Sequence, residues 1–256
     1  MTHSPSPLRV NESQLRSHFD GMTTVVKDAL EKPTDARIDP DWSAPLIVAG
    51  LVGADCEHIY RNRGGQVHVV PFCDLTENLV AWLSYREEWR DEQLGRKGRF
   101  SFRSSNLSIY FGRKHDTYKP QMFRAEWAGW AQWSGGSYSF QGGDAGHPHW
   151  QVDAIESLQG DKLEQRASNL SRLLSETDAQ SRQIVDFADP EPNHQTKSII
   201  ASQKFSRLHL PSAAAWWKSP PHDVHTHSPR TTADVQIWVG RSLRYVRSEL
   251  QRLRSI

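Results

Sequence analysis

The chain has little that would staple, anchor or steer it. Only two cysteines, Cys56 and Cys73, stand among its 256 residues. They form no CxxC pair, so neither a zinc ribbon nor a thioredoxin-like redox site is expected. Both are expected to be reduced thiols, because an unpaired cysteine is usually a small core residue. The longest apolar run covers about residues 45–52, far short of the roughly 20 residues a membrane helix needs. Residues 1–10 hold two prolines and no apolar stretch, which predicts no signal peptide and a cytoplasmic protein. Net charge is nearly absent as well. Lys plus Arg number 31 against 30 Asp plus Glu, so no global field demands a nucleic acid or an anionic membrane. Also missing are a Gly-rich loop ending in GK[ST], GxGxxG, GxSxG and HExxH. Those gaps count against P-loop NTPases, dinucleotide-binding enzymes, ordinary α/β-hydrolases and zincins. No repeat with a period of 20–50 residues is visible.

What the chain does have is aromatic bulk. Apolar residues make up 37%, but ten Trp, nine Phe and six Tyr supply large buried areas, enough to hold a core without covalent staples. The length suits one large domain or two small ones. The organisation predicted is a flexible tail over 1–10 and one α+β domain over 11–256, with a polar excursion at 176–197 marked by Pro190 and Pro192.

Periodicity sets the elements. Asn11 with Gln14 three residues later forms a capping-box signature, and Leu15, Phe19, Met22, Val26 and Leu30 follow at helical spacing. Residues 46–52 predict a buried strand. Residues 57–61 and 66–72 predict a hairpin across Gly64-Gly65. The stretch 75–94 predicts a second helix, with Asp74 and Glu77 as its cap and Leu79, Trp82, Leu83, Arg86 and Trp89 on one face. Residues 99–153 predict a β-region, in which Leu107, Ile109 and Phe111 alternate with polar residues. Further helices are expected over 155–175 and from Thr231 or Thr232 onward, the latter with Asp234 in its first turn. The fold class expected is therefore an antiparallel sheet from the central region, packed by flanking N- and C-terminal helices.

Histidines carry the chemistry. Of twelve, seven fall between 147 and 227. In an extended Gly146-His147-Pro148-His149-Trp150-Gln151-Val152-Asp153, alternation puts His147, His149, Gln151 and Asp153 on one face. Imidazole and carboxylate in a row suit zinc or manganese, or metal-free acid–base work. Pro148 argues for an edge strand with surface histidines instead. A second HxH unit, His225 and His227, lies just before the last helix, where an anion is also favoured. Such a short tract also fits a solvated loop that binds metal adventitiously. His209 shares a strand face with Arg207. Arg124 and Glu126 share another face. They fit a cross-strand salt bridge, or a phosphate-holding fork beside a base or ligand.

Two functions from different classes follow. The first is a histidine-rich hydrolase, in a metal-free or a divalent-metal-dependent version, acting on a phosphodiester such as a nucleic acid or nucleotide. Its catalytic set is His147, His149, Asp153, His209, Arg124 and Glu126, and its metal ligands are His147, His149, His225 and His227. The second is a non-catalytic subunit that binds a partner protein or nucleic acid. It would use aromatic strands and a terminal helix region with six arginines against two acids; Trp127, Trp130 and Trp133 stack bases if exposed and fit better as plain core.

Overall fold

A computed structural model of the chain describes residues 8–43, 45–60, 66–92, 99–128, 149–152, 218–219, 224–225 and 229–254. The first helix, α1 (Glu12–Ala29), starts where the capping box places it. Asn11 Oδ1 accepts from the Gln14 amide and Gln14 Oε1 from the Asn11 amide, each at 2.9 Å. The residues just before it are not a free tail: Leu8 and Val10 are buried, and Arg9–Asn11 forms strand β1. The last helix, α2 (Thr232–Arg254), has its own reciprocal cap, with Asp234 N–H donating to Thr231 Oγ1 and Thr231 N–H to Asp234 Oδ2.

Between the helices lie β2 (Arg37–Asp41), β3 (Leu46–Val52), β4 (Glu57–Tyr60), β5 (Gln66–Asp74), β6 (Val80–Asp91), β7 (Arg99–Gly112), β8 (Gln121–Ala128) and β9 (His149–Val152). With β1 they make one curled, nine-stranded sheet whose ladder pairings are antiparallel. The long β6–β7 hairpin is its spine. One edge of β6 is shared by β5, opposite Val80–Leu83, and β3, opposite Arg86–Arg90. The far edge of β7 is shared by β1 and β8, and β9 extends β8. Register shifts in the β5–β6, β6–β7 and β7–β8 ladders are of the kind that bends strands and strengthens twist. A separate two-stranded ribbon joins β10 (Lys218–Ser219) to β11 (Val224–His225).

The fold class is the one expected, but one element is corrected. Residues 75–79 form a turn, closed by the Leu75 amide on Leu79 O, and 80–91 are strand β6 rather than a helix. The apolar run lacks alternation because its first half is buried on both faces. Ala81, Leu83 and Tyr85 face the main core, while Trp82 joins a smaller cluster with Ile59, Val69 and Tyr110 on the other side. A strand covered on both faces reads as a continuous apolar stretch. Residues 129–148 of the expected β-region, with Trp130 and Trp133, and the segments predicted at 155–175 and 176–197 lie outside the described residues.

The main core sits between the sheet and the two helices. Leu15, Phe19, Met22 and Val26 from α1 and Val235, Trp238, Val239, Leu243, Val246 and Leu250 from α2 are all buried. Each such side chain contributes about 1.5–3 kcal/mol through the area it removes from water. The helices meet at pairs that advance together, His18 with Gln236, Val25 with Gly240, and Ala29 with Arg247, so they run parallel. Close approach is possible because Gly21 and Gly240 lack side chains: a Cβ on Gly21 would lie 2.6 Å from Gln236 Nε2.

Candidate functional site

The register brings polar residues together on the outer face of the sheet, away from the helices. One row crosses four strands as Arg86, Asn106, Glu126 and position 149, where His149 stands. The next row is Ser84, Ser108, Arg124 and position 151, where Gln151 stands. With strands about 4.8 Å apart, each row is about 14 Å long. The intervening row, Tyr85, Leu107, Ala125 and Trp150, faces the core. Trp150 packs on Tyr245 of α2 with ring centres 5.5 Å apart, so alternation assigns positions 149 and 151 to the outer face.

Ser84 and Ser108 form a buried hydroxyl floor. Charged groups rise around it in pairs along single strands. Arg124 Nη1 meets Glu126 Oε1 at 3.0 Å and Arg86 Nη2 meets Glu88 Oε1 at 2.8 Å. The Arg124–Glu126 pair thus runs within β8, two residues apart, rather than across strands. Hydroxyls, guanidinium forks and carboxylates make a surface able to bind an anion and to move protons.

Of the residues expected in a site, Arg124, Glu126 and His149 are therefore neighbours by register. His147, Asp153, His209 and His227 lie outside the described residues. His225 belongs to β11, opposite Lys218, in the separate ribbon. Among the described residues no group of three His, Cys, Asp or Glu is placed to hold a metal ion, and no helix is long and apolar enough to cross a membrane. Cys56 and Cys73 are not joined in a disulfide. Burial, aided by Asp35 and Asp55, pushes the Cys56 thiol up to about 11, so it is not poised as a nucleophile.

Three other groups were not anticipated. Inside the main core, Glu87 is fully buried. It accepts from the Tyr85 hydroxyl and the Trp89 indole, and it meets His18 Nε2 at 2.7 Å. Gln236 Nε2 lies 3.3 Å from His18 Nδ1 and also donates to His18 O, so Nδ1 accepts and Nε2–H donates to Glu87. Burial, then the neighbouring Glu87 charge, holds the Tyr85 phenol well above its ordinary range. The His18 and Glu87 side chains are wholly inaccessible. The spacing of Leu15, His18 and Met22 on one helical face was the available signal for it.

The second group lies beneath the smaller cluster. Lys119, fully buried, donates to Glu57 Oε2 at 2.8 Å and to Asp116 O at 2.7 Å, with its ammonium 4.4 Å from the Trp82 ring centre. Burial lowers its pKa and the Glu57 contact opposes that shift. A side chain on Gly112 would collide with the Lys119 stem, its Cβ 2.6 Å from Cγ.

The third is a cross-strand histidine pair, His58 and His68, on the β4–β5 hairpin. No known family model, curated protein or solved structure matches the chain.

Proposed function

We propose that the chain acts on a phosphodiester as a nuclease-like or phosphodiesterase-like hydrolase, using the outer face of β8 and β9. The observation that supports this reading is the register that sets Glu126 opposite His149 and Arg124 opposite Gln151. Directly opposed side chains start about 5 Å apart, within reach of one phosphate. In this reading the planar fork of Arg124 holds the phosphate and stabilises its developing charge. Glu126 and His149 exchange the protons of the attacking water and leaving group. A metal-dependent version adds zinc or manganese on His147, His149, His225 and His227, with Asp153 and His209 as further acid–base groups.

The test is hydrolysis of bis(p-nitrophenyl) phosphate and of a single-stranded oligonucleotide, with and without added Zn2+ or Mn2+. Glu126→Gln and His149→Ala are each expected to lower the rate by about 100-fold or more, and Arg124→Lys to raise KM. A wild-type rate no higher than buffer under all conditions sinks the proposal.

One observation favours the second reading, a binding module. On α2, Ile237 is 50% exposed on one helical face with the exposed Arg241 and Arg244. An apolar residue flanked by guanidiniums suits docking to an acidic partner protein or a nucleic acid. Tight, salt-sensitive binding that Arg241→Glu abolishes, in a protein without hydrolytic activity, would select it.

A further inference from the structure

The β4–β5 hairpin opposes two imidazoles in register, His58 and His68, with ring centres 4.0 Å apart and planes at 64°. His68 is the fixed member. Its Nδ1 lies 2.9 Å from the carbonyl oxygen of Leu51 on β3. A carbonyl oxygen only accepts, so Nδ1 carries the proton. In the neutral ring Nε2 then keeps its lone pair. A backbone carbonyl that fixes tautomer and ring orientation in this way is the support that metal-ligating histidines have. His58, across the ladder, is exposed to solvent. The nearby acidic groups are already engaged. Glu57 holds Lys119, and Asp55 accepts from Thr34 Oγ1 and the Asp35 amide.

The geometry points to a transition-metal site in which His58 and His68 bind one divalent ion of the zinc, nickel or copper type, with solvent filling the open positions. Imidazole donors select these metals over magnesium or calcium, which prefer oxygen. The hairpin supplies both ligands from adjacent strands, so little chain ordering is needed on binding. The site is separate from the face of β8 and β9, and it stands or falls independently of the phosphodiester reading.

The probe is Zn2+ alone, titrated into the chelator-treated full chain carrying His149→Ala and His225→Ala, which removes ligands of the other proposed site. Imidazole resonances are followed by NMR. The expected result is that the His58 and His68 signals shift together with one equivalent of Zn2+ at micromolar concentration. His58→Gln in the same background is expected to weaken binding at least tenfold. Because His58 is exposed, that variant keeps its fold, and unchanged near-ultraviolet circular dichroism checks this. His68→Gln, which can still donate to Leu51 O, should weaken binding similarly. Shifts at only one of the two rings, none up to millimolar Zn2+, or full affinity in His58→Gln would each overturn the proposal. An edge-to-face pair that merely closes the hairpin gives no shift at all.

Discussion

The two faces of the β6–β7 spine each bury a charge, and they do it differently. On the helix side Glu87 and His18 are both wholly inaccessible, and the carboxylate is met by an imidazole, a phenol and an indole. On the other side Lys119 is equally buried, but its partner Glu57 keeps 17% of its side chain exposed. The first charge has no solvent to fall back on, whereas the second leans on a group that stays partly hydrated. A buried charge is held by completeness of its partners rather than by one opposite charge, and completeness is greater around Glu87.

That contrast breaks most sharply at Glu87. Glu87→Ala leaves Tyr85, Trp89 and His18 without their acceptor and should cost about 3–5 kcal/mol, read as a fall in the urea midpoint. Lys119→Met keeps the apolar stem over Trp82 and removes the donor to Asp116 O, while Glu57, 17% exposed, still accepts from the His115 amide. It should cost less, about 1–3 kcal/mol. Equal losses would remove the distinction.

Base sharpens the comparison, because the two sides respond with opposite sign. The Lys119 pKa is lowered from 10.5, so between its folded value and 10.5 the unfolded chain holds more protons and stability rises with pH. The Tyr85 pKa is raised well above 10, so above pH 10 the folded chain holds the extra proton and stability falls. Denaturation curves from pH 8 to 11 should lose the rise in Lys119→Met and lose the fall in Tyr85→Phe. The smallest effect is at the turn before β4, where the Ala54 and Asp55 amides donate to the Asp35 carboxylate and hold its pKa below 3.8. Its contribution is present above that value and fades as pH drops through the lowered one. Asp35→Asn should therefore flatten only the acid end of the curve.

Local signals made the ends of the fold legible. The Asn11–Gln14 and Thr231–Asp234 caps announce α1 and α2, and the Leu107–Phe111 alternation announces β7. β6 misleads because Leu79, Trp82, Leu83, Arg86 and Trp89 satisfy a helical period while serving a strand with two covered faces. The same error hid Glu87. In Arg86-Glu87-Glu88 it resembles one of three solvated helix charges, yet on a strand it points opposite to its neighbours. At the candidate site, alternation in sequence does group Arg124 with Glu126 and His149 with Gln151. Only strand pairing sets the two groups side by side, and pairing over more than 20 residues has no local signature.

The parallel contact of α1 with α2 has a consequence for how the molecule is made. Gln236 and His18 are 218 positions apart, and Arg247 Nη1 donates to the last carbonyls of α1, at Ala29 and Leu30. During synthesis at roughly 5–20 residues per second, α1 therefore emerges many seconds before the helix that covers it. Over that interval Leu15, Phe19 and Met22 have, among the described residues, the sheet but not α2 to pack on. A chain stopped before residue 231 would lack Val235, Trp238 and Val239, and it is expected to expose more apolar surface than the full chain, read as binding of a hydrophobic dye.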